Sequence, residues 1–254
     1  MDIITEHLDG VLSITINRPA RKNALTAEMY QTMADAFFDA DNDPAVRVVL
    51  IRAAGDTFSA GNDLEDFMKA PPSKQDAPVF QFLRRISTAQ KPVVAAVSGG
   101  AVGIGTTMLL HCDLVYAAST ARFVLPFVNL GLCPEAASSL LLPRIAGYQR
   151  AAEKLLLGEP FDANEAANMG IVNRVLSAEE VGEYALAQAR KLAALPPASL
   201  KATKALMKGG QAAEISAQMV TEAEHFASML TAPEAKEAFT AFFEKRKPDF
   251  SRFN

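Results

Sequence analysis

Two glycine-bearing turns in this chain have the composition expected of a site that binds a developing negative charge. Residues 58–64 (Phe-Ser-Ala-Gly-Asn-Asp-Leu) and 98–105 (Ser-Gly-Gly-Ala-Val-Gly-Ile-Gly) each follow an apolar stretch and precede a predicted helix. The first N–H groups of a helix lack partners inside the helix, so they are free to bind an anion. Donors from two separate turns would form an oxyanion hole for a carbonyl oxygen that gains charge during a reaction.

The second turn also has other interpretations. Gly103 and Gly105 partly match a dinucleotide-binding turn, but the third glycine is replaced by Met108 and no acidic residue follows at the expected distance. Residues 96–100 approach a nucleophile elbow but lack its first glycine. A purely structural alternative stays open, in which the glycines only permit close packing of a helix against a strand.

The composition is that of a folded protein and argues against a nucleic-acid-binding surface. The chain has 254 residues, of which 50% are hydrophobic and 21% are charged, and its net charge is −4. These values predict a substantial core and argue against global disorder. No basic stripe is present, and the densest positive run is residues 245–247. We therefore expect no nucleic-acid partner.

The cysteines and the apolar stretches predict a cytoplasmic protein. Two cysteines, Cys112 and Cys133, form no disulfide framework. Residues 1–6 lack the features of a signal peptide, and no apolar run has the length of a membrane span, so we expect no membrane partner. His111, Cys112 and Asp113 are metal-ligand types, but neighbouring positions at a helix end point in different directions. We therefore predict structural roles for these residues and no metal site.

Strands that alternate with helices predict an α/β fold with a parallel sheet. Thr26 is predicted to cap a helix that runs to about Asp41. Residues 70–78 are predicted to form a mobile loop. The predicted strands are residues 11–16, 46–51, 92–97, 113–117, 121–124 and 171–175.

The pattern becomes helical after Pro134. Beyond residues 196–197 (Pro-Pro) the helical pattern continues almost to Lys247, with a weak break at residues 209–210. We divide the chain into a core, residues 1–195, and a helical C-terminal part, residues 196–254. Within the core, the helices predicted after Pro134 are residues 136–146, 148–157, 163–169 and 178–194.

The two turns, with three further segments, resemble the crotonase (enoyl-CoA hydratase/isomerase) superfamily. The further segments are residues 17–19 with 23–25, residues 112–113, and residues 129–132. The resemblance runs from about Ile3 to Lys247. It implies a ββα spiral core, a C-terminal part that forms trimers or hexamers, and an acyl-CoA thioester substrate. It implies no cofactor, since coenzyme A is part of the substrate.

The resemblance also assigns roles to individual residues. The oxyanion donors would be the backbone N–H groups of Asn62 and Ile104. Asp63 would lie along the pantetheine. From its position alone it could also orient the first turn, and a helix cap explains this residue equally well. The positions implied to contact coenzyme A or the substrate are Lys22, Ala24, Leu25, Ala60, Asp63, Leu64, Gly103, Phe127 and Leu130.

One acidic residue points to the reaction. The two glutamates of the hydratases in this superfamily correspond to Thr107 and Phe127, neither of which is a carboxylic acid. Glu135 corresponds to the single catalytic glutamate of the Δ3,Δ2-enoyl-CoA isomerases. The resemblance therefore implies conversion of 3-enoyl-CoA to 2-enoyl-CoA, with Glu135 moving a proton from C2 to C4 through a dienolate held in the oxyanion hole.

Alternatives to this reaction remain at the level of the sequence. Apolar neighbours such as Leu132 would raise the pKa of Glu135, whereas the dipole of a helix beginning at Ala136 would lower it. Glu135 could then serve only as a helix N-terminal carboxylate. A 2-enoyl-CoA hydratase of fatty-acid β-oxidation and a non-catalytic acyl-CoA-binding protein are the alternative functions. A nucleophilic role, as for the aspartate at this position in 4-chlorobenzoyl-CoA dehalogenase, is the alternative chemistry.

Overall fold

The structure, a computed structural model, describes residues 1–69 and 76–253 and has the α/β architecture predicted from the sequence. The predicted loop over residues 70–78 lies mostly outside the described residues, and Pro78 already belongs to a helix. The strands among the described residues are β1 (Ile3–Leu8), β2 (Val11–Ile16), β3 (Val48–Ala53), β4 (Val93–Val97), β5 (Gly100–Val102), β6 (Leu114–Ala118), β7 (Arg122–Val124), β8 (Phe161–Asp162) and β9 (Arg174–Leu176).

About half of the described chain is helical, and the last three helices form a C-terminal part that follows the final strand. No described helix is long and apolar enough to cross a membrane. The helices are α1 (Ala27–Asn42), α2 (Leu64–Lys69), α3 (Pro78–Thr88), α4 (Ile104–Thr107), α5 (Ser138–Ala146), α6 (Tyr148–Leu157), α7 (Ala163–Asn168), α8 (Val181–Ala193), α9 (Pro197–Lys208), α10 (Ala212–Leu230) and α11 (Pro233–Phe243).

The main sheet has the strand order β1-β2-β3-β4-β6-β9 and is parallel except for β1, which pairs antiparallel with β2. The side chains of β4 are all buried, as expected for a strand covered on both faces. Val93 and Ala95 face the larger core with α1, while Val94 and Ala96 face α8. A second sheet of order β5-β7-β8 lies beside the second glycine turn.

Several predicted elements agree with the structure, and the disagreements have local causes. Strand β2 matches its predicted bounds, and Thr26 caps α1 by accepting the N–H of Met29. The predicted strand over residues 171–175 is wrong at its start, because β9 begins only at Arg174. The N–H groups of Ile171 and Val172 instead bond to the carbonyl of Ala166, in a turn that follows α7. Strand β7 agrees with the predicted strand over residues 121–124, whereas β1, β5 and β8 were not predicted.

The predicted helix start at Ala136 is also wrong, and this difference affects the position of Glu135. Ala136 and Ala137 have φ angles of 60° and 55°, in the left-handed region, so α5 begins only at Ser138. Left-handed backbone is unfavourable for alanine, so tertiary contacts must hold this turn. Glu135 is therefore separated from the helix by two residues of non-helical backbone.

The C-terminal helices attach to the core through buried charges. Lys204 on α9 is buried, and its Nζ lies 2.7 Å from Oδ2 of Asp113 and 2.7 Å from the carbonyl oxygen of Lys91. Asp113 also accepts the N–H of Val93 at 2.8 Å, so it connects β4 to α9. This contact confirms the structural role predicted for Asp113.

Gly99 offers a test of how closely the chain packs at the second turn. A Cβ atom on Gly99 would lie 1.7 Å from the carbonyl oxygen of Asp56, and its φ is +66°. We expect Gly99→Ala to lower the free energy of unfolding by more than about 2 kcal/mol, measured by chemical denaturation. Gly182→Ala in α8 is the control, because no atom lies within 4 Å of its Cβ position. It should be neutral or stabilise by up to about 1 kcal/mol. Equal stability of the two variants would contradict the packing argument.

Candidate active site

The two glycine turns are joined by backbone hydrogen bonds. The N–H of Ser59 donates to the carbonyl of Gly100 at 3.0 Å, and the N–H of Val102 donates to the carbonyl of Ser59 at 2.9 Å. These bonds form a parallel bridge between Ser59 and Ala101. Three residues further along both segments, the same register leads to Asn62 and Ile104. The structure therefore brings the two predicted oxyanion donors to neighbouring segments.

Glycines allow this close approach. A Cβ atom on Gly61 would lie 3.0 Å from the carbonyl oxygen of Val102, and one on Gly105 would lie 3.0 Å from that of Ser59. Gly61 and Gly103 also have positive φ angles of 89° and 54°. The packing role of these glycines and a role in anion binding are thus compatible, because the contact that needs glycine also sets the direction of the backbone.

The N–H groups of Asn62 and Ile104 are unpaired within residues 1–69 and 76–253. A parallel bridge joins Leu25 to Asn62 through the carbonyl of Gly61 and the N–H of Asp63, so the N–H of Asn62 points to the opposite side. Ile104 is the first residue of α4, where an N–H has no partner inside the helix. Unpaired backbone N–H groups on adjoining segments are the type of donor that an oxyanion hole uses.

A side-chain network holds the first turn in place. The amide of Asn23 donates to the carbonyls of Ala54 and Thr57 at 2.8 and 2.6 Å, and its oxygen accepts the N–H of Arg18. Arg18 in turn pairs with Asp63 at 2.7 Å. Asp63 also accepts the N–H of Asp66 at the start of α2, so this carboxylate both orients the turn and caps the helix.

Glu135 has a carboxyl group whose pKa is raised to about 8. Burial is the largest cause, because it disfavours the charged form. The hydroxyl of Thr107 donates to Oε1 of Glu135, which lowers the pKa, and the charge of Glu222 raises it. An acid with a pKa near neutrality can both accept and release a proton, which suits general acid–base catalysis.

The N-terminus of α5 is capped by Glu222 rather than by Glu135. Glu222, on α10, accepts the N–H of Ala137 at 2.6 Å and that of Ser139 at 3.0 Å. The N–H groups of Ala137 and Ser139, which a helix-capping side chain of Glu135 would need, therefore donate to Glu222 instead. The pKa of Glu135 is raised, with burial as the largest cause, and two residues of left-handed backbone separate Glu135 from the first residue of α5.

Tyr30 is a neighbour of the site that sequence reasoning missed. Its hydroxyl donates to Oδ1 of Asn62, and only 2% of the residue is exposed. The pKa of Tyr30 is raised well above its usual value, first by burial and then by the charge of Glu135. Tyr30 lies beside the apolar stripe of α1, between Met29 and Met33. The sequence feature that could have indicated Tyr30 is its hydroxyl group on an otherwise apolar face of the predicted helix α1.

The other residues predicted to contact the substrate differ in how accessible they are. Lys22 is exposed, with a left-handed φ of 50°, whereas the side chain of Leu25 lies in the core and both of its backbone groups are bonded. The carbonyl of Gly103 accepts the N–H groups of Thr106 and Thr107. Phe127 is buried. Partly buried members of the set are Ala24, Ala60, Leu64 and Leu130.

The candidate metal-ligand residues serve other contacts. His111 is buried and donates from Nε2 to the carbonyl of Ala136 at 2.8 Å. Burial lowers the pKa of His111 to about 4 and raises that of Cys112 to about 12. Among the residues that the structure describes, no group of three or more His, Cys, Asp or Glu side chains could hold a metal ion.

Comparison with known proteins gives one consistent family. The family model described as enoyl-CoA hydratase/isomerase matches residues 6–252. The chain is 32% identical to 2,3-dehydroadipyl-CoA hydratase of Escherichia coli, over 98% of both chains. It is 35% identical to enoyl-CoA delta isomerase 2 of Rattus norvegicus, over 94% of this chain and 62% of the rat protein. The crystal structure of an enoyl-CoA hydratase/isomerase from Pseudoalteromonas atlantica T6c is 45% identical, with a TM-score of 0.94 and coverage of 98% of this chain and 100% of that one.

Thr107 offers a test of what sets the pKa of Glu135. Thr107→Val removes the donor that stabilises the ionised carboxylate, so we expect the pKa of Glu135 to rise by about half to one unit. The measurement is an infrared titration of the protonated carboxyl band that Glu135→Gln abolishes. Thr107→Ser keeps the hydroxyl and should titrate like the unmodified protein. A Thr107→Val protein in which Glu135 titrates at lower pH would contradict the assignment.

Proposed function

Because the chain belongs to the enoyl-CoA hydratase/isomerase family of the crotonase superfamily, we propose that this acyl-CoA enzyme converts 3-enoyl-CoA to 2-enoyl-CoA. The observation that carries the proposal is the carboxyl group of Glu135. This group accepts a hydrogen bond from Thr107, and its pKa is about 8. The two positions that hold glutamates in the hydratases are occupied by Thr107 and Phe127, which are not carboxylic acids. One acid–base group is sufficient for isomerisation, because the proton it removes is the proton it returns.

In the proposed reaction Glu135 acts first as a base and then as an acid. The ionised carboxylate removes a proton from C2, the C2–H electron pair forms a C1–C2 double bond, and the carbonyl π electrons move onto the thioester oxygen to give a dienolate. The N–H groups of Asn62 and Ile104 bind the thioester oxygen and stabilise its negative charge. The protonated Glu135 then delivers the proton to C4, which restores the thioester carbonyl and leaves the double bond between C2 and C3.

Hydration is disfavoured by the side chains at the two hydratase positions. Thr107 uses its hydroxyl to bind Glu135, and Phe127 is buried and apolar. Glu222 is a second buried carboxylate in the region, but both of its oxygens accept hydrogen bonds from α5. Glu135 would therefore have to activate a water molecule without a second carboxylate. The hydratase alternative is supported by the similarity to 2,3-dehydroadipyl-CoA hydratase.

The proposed substrate site follows from the exposed and partly buried residues of the two turns. We propose that Lys22 contacts a phosphate of coenzyme A, and that Ala24, Ala60 and Leu64 follow the pantetheine. Asp63 and Leu25 would then act indirectly. Asp63 is paired with Arg18, and the side chain of Leu25 is buried in the core. Gly103, Phe127 and Leu130 would shape the region around the acyl group. No cofactor is proposed beyond the coenzyme A of the substrate.

We also propose that residues 196–254 form a trimerisation part, in a cytoplasmic homotrimer or hexamer. Apolar side chains are exposed on the C-terminal helices, including Leu206, which is 85% exposed, and Met207, Val220 and Phe242. A contiguous exposed apolar patch marks an interaction surface, and we propose that these side chains form one. Another copy of this chain is the partner that the family resemblance implies.

The reaction is tested by giving purified protein 3-enoyl-CoA and 2-enoyl-CoA in separate assays and resolving the products by mass and retention. We expect isomerisation of 3-enoyl-CoA to be much faster than hydration of 2-enoyl-CoA. Formation of 3-hydroxyacyl-CoA at an equal or greater rate would favour the hydratase. Binding without turnover of either thioester would favour a non-catalytic acyl-CoA-binding protein.

Glu135→Gln tests the proposed base. The amide keeps the size of the side chain but cannot accept the proton, so kcat should fall by about 10²-fold or more. Binding of a substrate analogue should be nearly unchanged, and circular dichroism should report an intact fold. A folded variant that keeps most of its activity would remove Glu135 from the mechanism.

A further inference from the structure

A carboxylate from the C-terminal part of the chain lies at the turn that carries Glu135. Glu222 on α10 is only 4% exposed. Its Oε2 accepts the N–H of Ala137, and its Oε1 accepts both the N–H and the hydroxyl of Ser139. Gln218, one turn earlier on α10, donates to the hydroxyl oxygen of Ser139 at 2.9 Å. The start of α5 is thus bound to α10 through Ser139 and Glu222.

This contact holds a turn that the local sequence does not favour. Ala136 and Ala137 both have left-handed backbone, which their side chains disfavour. The carbonyl of Ala136 is held by His111, and the N–H of Ala137 is held by Glu222. Glu135 immediately precedes this pair. The direction of the Glu135 side chain therefore depends on contacts that the turn makes with two other parts of the fold.

Glu222 is also an electrostatic neighbour of Glu135. Its negative charge raises the pKa of Glu135, in addition to the effect of burial. The other titratable groups near Glu135 are Tyr30 on α1, on which Glu135 acts, and Cys133, whose pKa both glutamates raise. His111 lies at the adjoining Ala136 and has its pKa lowered to about 4, so it is neutral near pH 7. Burial raises the pKa of Glu222 as well, while the hydrogen bonds from Ser139 and Ala137 lower it. Of these neighbours, Glu222 is the carboxyl group whose charge raises the pKa of Glu135.

We propose that Glu222 is a positioning residue for Glu135. Its hydrogen bonds join the turn at residues 135–139 to α10, and its own carboxylate lies near the proposed base. The catalytic consequence rests on the proposed function, whereas the effect on the titration of Glu135 does not. Glu222 acts entirely through Glu135 and the turn, since its own oxygens are bonded to Ala137 and Ser139.

The test compares Glu222→Gln with Glu224→Gln, which removes an equal charge from an exposed position two residues further along α10. We expect Glu222→Gln to lower the pKa of Glu135 by about half a unit or more, read from the infrared band that Glu135→Gln abolishes. The acidic limb of the kcat/KM profile for 3-enoyl-CoA should move to lower pH by the same amount. Because the turn is less well held, kcat at its pH optimum should fall about tenfold. Glu224→Gln should change none of these values.

An unchanged titration of Glu135 in folded Glu222→Gln would overturn the proposal. If circular dichroism shows that this variant is unfolded, Glu222→Asp decides. It keeps the charge but shortens the side chain, so the pKa of Glu135 should stay raised while kcat falls, and a lowered pKa would contradict the proposal. If the unmodified protein turns over no enoyl-CoA, the proposed function fails, and the infrared titration still decides the role of Glu222.

Discussion

The backbone contact between the two glycine turns is the constraint on which the site depends. Hydrogen bonds between Ser59 and the segment at Gly100 and Val102 hold the turns together. A Cβ atom on Gly99 would overlap the carbonyl oxygen of Asp56, and one on Gly61 or Gly105 would lie only 3.0 Å from a carbonyl oxygen of the opposite turn. The contact itself is backbone against backbone, and the side chains of Asn23, Arg18 and Asp63 hold the first turn in that position. Backbone N–H donors suit any carbonyl that gains charge, so the reaction must be decided by the other groups around them.

Opposing effects act on the pKa of Glu135, the acid that we propose determines which reaction occurs. Burial and the charge of Glu222 favour the protonated form of Glu135, while the hydroxyl of Thr107 favours the ionised form. The balance brings the pKa to about 8, where both forms are populated near neutral pH. An ordinary solvated glutamate would be almost fully ionised at that pH and a poor proton donor. In the part of the chain that the structure describes, the neighbouring carboxyl group of Glu222 uses its oxygens to bind Ala137 and Ser139.

The C-terminal helices contribute to the interior of the site as well as to the surface. Glu222 on α10 binds the turn beside Glu135, and Lys204 on α9 binds Asp113 at the start of β6. These contacts join the helical part to the core through buried charged groups, which are costly to leave unpaired. Helix α10 is therefore joined to the turn that carries Glu135, and α9, which exposes Leu206, is joined to Asp113.

The amino-acid sequence by itself determined the features that depend on neighbouring residues. Alternation defined β2, an N-cap placed the start of α1 at Thr26, and the glycine turns with Glu135 carried the family resemblance. Only the tertiary structure decided which groups surround those residues. Glu222 reaches Ala137 across 85 residues, and Tyr30 reaches Asn62 across 32 residues. The left-handed backbone at Ala136 and Ala137 runs against local preference and exists because such distant partners hold it, so no local pattern in the sequence could indicate it.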